Sequence, residues 1–260
     1  MEALEAWLGG VGEVAVAVSG GVDSVTLSML AHRTLGARAT MFHALSPAVP
    51  LEGTVRVRTL AAEQRWDLRI IDAAELADPN YRRNPVDRCF YCKSNLYATI
   101  MRQTNATVVS GTNLDDLGDF RPGLRAAAEG AVRHPFVEAE VSKVNVRKIA
   151  RALGMAKLSE LPASPCLASR VETGILMDAH MLRAIDRAEQ VVGRLLAPEV
   201  VRCRVRHEVL AVELDDRAFR ALTSTRREEL VIKVSDVFRQ GGVDKPVIFD
   251  VYKMGSAFLR

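Results

Sequence analysis

Residues 14–24 read Val-Ala-Val-Ala-Val-Ser-Gly-Gly-Val-Asp-Ser, an apolar run that passes directly into Ser19-Gly20-Gly21-Val22-Asp23-Ser24. Val14, Val16 and Val18 suit a buried strand. From Val25 to Leu35 apolar residues recur at helical spacing until Gly36 closes the helix as a C-cap. The two glycines therefore stand at a strand-to-helix turn. Backbone free of side chains lets N–H groups converge on a phosphate there, and the helix start adds partial positive charge. Ser19 and Ser24 contribute hydroxyls, and Asp23 can hold a magnesium ion or a water. The Lys-Ser/Thr ending of a Walker-type loop is absent. An isolated Gly-Gly is more often a plain tight turn, but the strand before it and the helix after it favour a phosphate loop.

Downstream, strand-like and helix-like segments alternate. Ala37 to Ala44, Leu68 to Asp72 and Ala106 to Ser110 are the next expected strands. Helices are expected over Leu51 to Arg65, Ser94 to Thr104 and Ser142 to Leu153, the last with Ser142 as N-cap and Gly154 as C-cap. This alternation predicts an α/β fold, a doubly wound parallel sheet whose ligands lie beyond the carboxyl ends of the strands. Ser19, Ser46 and Gly111 all emerge at that edge. After Ser46, the Pro-rich stretch to Pro50 is either a flexible lid or a connector, and most such loops are connectors. The loop from Gly111 to Gly123 carries Asp115, Asp116 and Asp119 with Arg121 beside them. Such a cluster can hold magnesium and orient phosphate, or it can be a solvated acidic turn; its place at a strand end favours the first reading.

A chain of 260 residues, 48% hydrophobic with a net charge of +3, is an ordinary globular protein longer than the usual single domain. Two domains are expected: 1–170, holding the phosphate loop, and 171–260, a smaller α+β domain for substrate binding or oligomerisation. In the latter, Met177 to Leu196 reads as an amphipathic helix with Leu182, Ile185, Val192 and Leu195 on one face. Strands are expected at Val200 to Arg206, Val209 to Leu214 and Val247 to Val251, around a helix near Arg217 to Leu230. Arg202, Arg204 and Arg206 share a strand face, either a solvated stripe or a phosphate clamp, and Cys203 points to the core. The slight positive charge suits a nucleotide more than a nucleic acid. With no membrane-length apolar run and no basic leader before an apolar core, a cytoplasmic location is expected. Cysteines there serve as thiols, ligands or reagents.

Three of the four cysteines have distinctive settings. Cys89 and Cys92 form Asp87-Arg88-Cys89-Phe90-Tyr91-Cys92-Lys93, and Cys166 lies in Pro165-Cys166-Leu167-Ala168-Ser169-Arg170. One Cys-x-x-Cys is compatible with a metal knuckle, a redox pair or an iron–sulfur site. Cys166, between a proline and a basic Arg170, is either a reactive thiol or a small buried hydrophobe.

The six residues Ser19 to Ser24 match the signature of the PP-loop ATP pyrophosphatases, a Rossmann-like family that cleaves ATP between the α and β phosphates and adenylates an acceptor oxygen. Together with Asn84-Pro85, the Cys89–Cys92 segment, Gly111 to Gly123, Cys166 to Arg170, Val205-Arg206-His207 and Asp250 to Ser256, they resemble one branch over nearly the whole chain. That branch is the LarE sulfur transferases of nickel-pincer nucleotide biosynthesis. The resemblance implies that ATP with magnesium adenylates a carboxylate of a pyridinium dicarboxylate mononucleotide and that sulfur then displaces AMP. It assigns the nucleotide to Ser19, Gly20, Gly21, Val22, Asp23, Ser24, Gly111, Thr112 and Asp116, and catalysis to Cys166 and Asp23. Substrate contacts fall on Arg88, Arg121, Ser169, Arg170, Arg204 and Arg206, and magnesium on Asp23, Asp115 and Asp119. The sulfur comes either from Cys166 itself, left as dehydroalanine, or from a four-iron, four-sulfur cluster held by Cys89, Cys92 and Cys166. A homo-oligomer is expected. At Val171 to Leu176 the chain departs from the family's pattern. Open alternatives are a related transferase acting on another small molecule or on tRNA, a nucleotide sensor without turnover, and an amidating synthetase that leaves the cysteines without a role.

Overall fold

The computed structural model describes residues 1–118, 120–162 and 165–253. In chain order the elements are α1 (Glu2–Val11), β1 (Val14–Ala17), α2 (Val22–Leu35), β2 (Ala39–Ala44), α3 (Leu51–Gln64), β3 (Asp67–Ile71) and α4 (Pro79–Arg82). There follow α5 (Arg88–Met101), β4 (Thr107–Ser110), α6 (Pro122–Glu129), α7 (Pro135–Glu138), α8 (Lys143–Ala152) and α9 (Ala156–Ser159). The remainder comprises α10 (Ala179–Leu196), β5 (Val201–Val205), β6 (Leu210–Leu214), α11 (Asp216–Arg220), α12 (Ser224–Gln240) and β7 (Val247–Val251). Two compact units result. One takes Met1–Glu75 and Asp87–Ser164, the other Leu76–Val86 and Pro165–Arg260.

The first unit is built on a four-stranded sheet, order β3-β2-β1-β4, with every pair parallel. β1 is central and buried at all four positions, which only a strand covered on both faces tolerates. Its residues divide by the two-residue period: Val14, Val16 and Val18 pack with Leu4, Leu8, Val25, Met29, Val146 and Ile149 from α1, α2 and α8. Ala15 and Ala17 face Tyr97 and Ile100 of α5 and Ala126 and Ala127 of α6. From β1 the chain winds first to β2 on one side and later to β4 on the other. The crevice between the β1 and β4 ends is therefore the topological switch point where such sheets bind ligands.

The second unit carries a mixed sheet, β5 antiparallel to β6 and β6 parallel to β7, with α10 and α12 packed together beside it. Leu182, Ile185 and Val192 of α10 are fully buried. Asp178 caps α10, accepting from the amides of His180 and Met181.

Two expected helices differ. The one near Arg217 to Leu230 is two, because Asp215 and Thr223 each cap a new start, accepting from the amides of Ala218 and Arg226. The one expected from Ser94 begins at Arg88, so the Cys-x-x-Cys pair is helical rather than part of a loop.

Candidate functional site

The loop after β1 is braced by its own hydroxyls. Ser24 Oγ accepts from the Ser19 amide at 3.1 Å, lies 3.1 Å from Ser19 Oγ, and donates to the Gly21 carbonyl at 3.2 Å. Gly21 is the N-cap of α2 and supplies no capping side chain, so the first-turn N–H groups are left for an anion. Gly20 has φ +87°, and a Cβ there would lie 2.5 Å from the Gly53 carbonyl oxygen. Arg56 of α3 donates to the Gly20 carbonyl at 2.6 Å, fixing the loop from the other side. Beneath it, His43 Nδ1 meets the Val18 carbonyl at 2.8 Å and Nε2 meets Thr54 Oγ1 at 3.0 Å; burial holds its pKa below the usual value.

Gly111 leaves β4 directly against α2: a Cβ there would stand 2.8 Å from the Ser24 nitrogen. The acidic loop is engaged by basic and amide groups. Asp23 pairs with Lys143 and accepts from Asn113 Nδ2 at 3.2 Å. Asp115 accepts from the Lys143 amide at 2.7 Å, at the start of α8. Asp116 accepts from the Asn113 amide at 3.1 Å and pairs with Arg121 at 2.7 Å. Asp119 lies outside the described residues. Thr112 is half-buried beside this cluster. The stretch after Ser46 is tied down at its start: Ser46 Oγ donates to the buried Glu75 and accepts from the Ala48 amide at 2.9 Å.

Sequence reasoning missed Lys143, Asn113, Arg56 and His43. Lys143 follows the N-cap Ser142, and that capping role hid its charge. Asn113, in Gly-Thr-Asn, was the legible one, being a polar residue at a strand end facing the loop.

Cys89 and Cys92 are half-buried on the first two turns of α5, three residues apart and so on one helix face. Arg88 is buried at 2% exposure in the same first turn, so the substrate contact expected of it would require it to leave the interior. Among the described residues of either unit, no three His, Cys, Asp or Glu side chains gather as a metal site.

Cys166 belongs to the second unit and is exposed, whereas Cys203 is buried as expected and burial drives its thiol pKa well up. Cys166 precedes a 3₁₀ turn, Leu167–Arg170, whose carbonyls are gripped from within. Arg170 donates to the Pro165 carbonyl at 2.8 Å, to the Cys166 carbonyl at 3.2 Å and to Ser169 Oγ at 2.9 Å. Its other nitrogens form a bidentate pair with Glu189 at 2.9 and 3.1 Å. Arg204 donates to the Ser169 carbonyl at 2.9 Å and pairs with Glu213 at 2.8 Å, and Arg206 takes the second Glu213 oxygen at 2.9 Å. The arginine stripe is thus not a solvated face. Arg170 and Arg204 are buried scaffold, 2% and 6% exposed, while Arg206 is more open.

Removing one partner of a buried pair leaves the other uncompensated. Glu189→Gln should therefore cost about 3 kcal/mol, read as lower thermal stability, and should loosen the Cys166 turn, read as faster alkylation of Cys166. Unchanged melting and alkylation would mean the clamp is idle.

A four-stranded parallel sheet whose switch point meets a Gly-Gly loop and a helix start defines a Rossmann-like domain of the PP-loop type. No protein-family model matches the sequence. An uncharacterized protein of Synechocystis, slr1717, is 35% identical over 221 residues, 82% of this chain and 81% of that one. An uncharacterized protein of Methanocaldococcus jannaschii, MJ0830, is 25% identical over 228 residues, 86% of this chain and 85% of its own. The pyridinium-3,5-bisthiocarboxylic acid mononucleotide synthase of Lactiplantibacillus plantarum is 28% identical over 208 residues, 78% of this chain and 75% of the synthase. The chain belongs to this LarE-like family. None of its helices, among the described residues, is long and apolar enough to cross a membrane.

Proposed function

We propose that the protein is an ATP-dependent sulfur transferase acting on a pyridinium dicarboxylate mononucleotide. The observation that carries this is Cys166: of the four thiols it alone is exposed, and it stands on a turn whose carbonyls two buried arginines hold. Similarity to a synthase named for the bisthiocarboxylic acid product supports the substrate class.

In the first step a substrate carboxylate oxygen attacks the α-phosphorus of ATP, and pyrophosphate leaves. The open N–H groups of α2 and the Ser19 and Ser24 hydroxyls receive its charge. Magnesium enters with the nucleotide as substrate. Asp23, which pairs with Lys143, would meet it if Lys143 turned toward phosphate, an exchange of one cation for another. In the second step the Cys166 thiolate attacks the acyl carbon, the bond to AMP breaks, and a thioester forms. Loss of the Cys166 α-proton then breaks the Cβ–S bond, giving a thiocarboxylate and dehydroalanine.

The mononucleotide phosphate has an electrostatic partner in the second unit. Arg170, Arg202, Arg204 and Arg206 gather there around Glu189 and Glu213. Burial, and after it the neighbouring Arg170, push the Arg202 pKa down. With Arg170 and Arg204 committed to the scaffold, Arg206 and Arg202 are the phosphate contacts.

Incubation of anaerobically purified protein with ATP, magnesium and the dicarboxylate mononucleotide tests the reading. Loss of one hydrogen sulfide at Cys166 with one product per chain supports it. Repeated turnover by unchanged, iron-containing protein assigns the sulfur to a cluster, and activity only with tRNA overturns the substrate.

A further inference from the structure

At the end of β4, three side chains of the first unit form a line. His134 Nδ1 lies 2.9 Å from Ser110 Oγ, and Ser110 Oγ lies 3.1 Å from Thr112 Oγ1. Ser110 is buried at 6% exposure, Thr112 is half-buried, and between them Gly111 sits against the first turn of α2. The backbone holds the line in place. The Ser110 amide donates to the Arg133 carbonyl at 3.1 Å, and the Arg133 amide donates to the Val108 carbonyl at 2.9 Å, so His134 follows an added bridge on the edge of β4.

Each hydroxyl has one hydrogen, so the line has a direction. When His134 Nδ1 carries a proton, it donates to Ser110, Ser110 donates to Thr112, and the Thr112 hydrogen is free for a ligand. When Nδ1 is bare, Ser110 donates to it and Thr112 donates to Ser110. Thr112 then offers only lone pairs, which repel a phosphate. We propose that His134 is a positioning residue of the nucleotide site, acting through Ser110 to set whether the Thr112 hydroxyl meets the ligand as a donor. This rests on the reading of the Ser19–Ser24 loop as an ATP site.

Burial lowers the His134 pKa. The charged groups facing it are Glu138 of α7 and Asp116 of the acidic loop, which favour the proton, and Lys93 of α5, which opposes it. An anionic ligand accepting from Thr112 selects the Nδ1-protonated forms, so acidification strengthens ATP binding through this line relative to a variant without the Thr112 hydroxyl.

Calorimetric titration of the full chain with ATP and magnesium, from about pH 8 to about pH 5.5, reads this. His134→Ala should weaken ATP about tenfold, as for loss of a hydrogen bond to a charged group. His134→Asn, with an amide near the Nδ1 position, should recover most of the affinity and show no wild-type gain on acidification. Thr112→Val should lose a similar amount, and adding His134→Ala to it should cost nothing more. If His134→Ala does not fold, Ser110→Ala cuts the same line and must behave alike. Wild-type affinity in His134→Ala, or losses that multiply in the double variant, overturns the proposal. Failure of the wild type to bind ATP at all overturns the ATP-site reading and takes this inference with it.

Discussion

Gly20→Ala should lower the affinity for ATP about a hundredfold or more, while Gly21→Ala one residue on should bind ATP almost as the wild type does. The contrast follows from backbone geometry. Gly20 is at φ +87°, a conformation that L side chains adopt only at a cost of about 1–2 kcal/mol. Its added Cβ would also lie 2.5, 2.8 and 2.9 Å from three backbone atoms of Gly53. Backbone cannot swing aside as a side chain can. Gly53 is in the first turn of α3, with its own α-carbon side turned to the Ser19 carbonyl, and Arg56 ties the same helix to Gly20. Relief therefore means moving the loop off α3, which turns the first-turn N–H groups of α2 away from a common point. Gly21 has an ordinary extended φ of −77°, and its added Cβ would meet only Ser19 Oγ at 3.7 Å. Gly111→Ala should resemble Gly20→Ala, its Cβ pressing on Ser24 N and the Asp23 carbonyl carbon at 2.8 and 2.9 Å. Calorimetric ATP titration with a melting curve for each variant checks all three. Tight ATP binding by Gly20→Ala would remove the case for this loop as the phosphate cradle.

What was legible in the sequence follows one physical divide: local periodicity could be read, and side-chain partnership could not. The strands of the parallel sheet come within one or two residues of expectation because β1 and its neighbours are apolar on both faces and end at glycine or polar loops. The phosphate loop was equally plain, since Gly20 and Gly111 mark close backbone approaches. The start of α5 was not, because Arg88 and the cysteines carry no apolar period and Asp87 makes no side-chain cap. The partners of the arginine stripe were hidden for another reason. Strand alternation gives the side that Arg204 occupies, but burial depends on Glu213 of β6, which the pairing of Arg202 with Glu213 and Arg204 with Ala211 places across the ladder. The same holds for Arg170, whose partner Glu189 is on α10 nineteen positions away. Lys143 and Asp23 meet only because α8 packs on α2. Charge partners far apart in sequence are fixed by the fold, and no local spacing announces them.

On the proposed reaction, Cys166→Ala should end sulfur transfer while ATP cleavage continues. In the proposed reaction the two steps use different residues: adenylation would draw on the Ser19–Ser24 loop, Gly111 and the Asp23–Lys143 pair, and none of the contacts described for them involves Cys166. The substituted chain should bind ATP as the wild type does and form the acyl adenylate. With no thiolate to intercept it, water hydrolyses the activated ester, so AMP and pyrophosphate accumulate without thiocarboxylate. Cys166→Ser should behave the same way, because a hydroxyl is a weaker nucleophile and carries no sulfur to give. The clamp on the turn survives either change, since Arg170 and Ser169 hold the Cys166 backbone carbonyl rather than its side chain. Cys203→Ala is the control for losing a thiol as such, that sulfur being buried in the core. Cys89→Ala and Cys92→Ala separate the two sulfur sources: a donor at Cys166 leaves a single turnover intact in both, whereas a cluster loses it in both. Mass spectrometry of protein and product after one round reads every case. Thiocarboxylate formed at the wild-type level by Cys166→Ala would overturn the assignment of Cys166 as donor and leave the ATP site untouched.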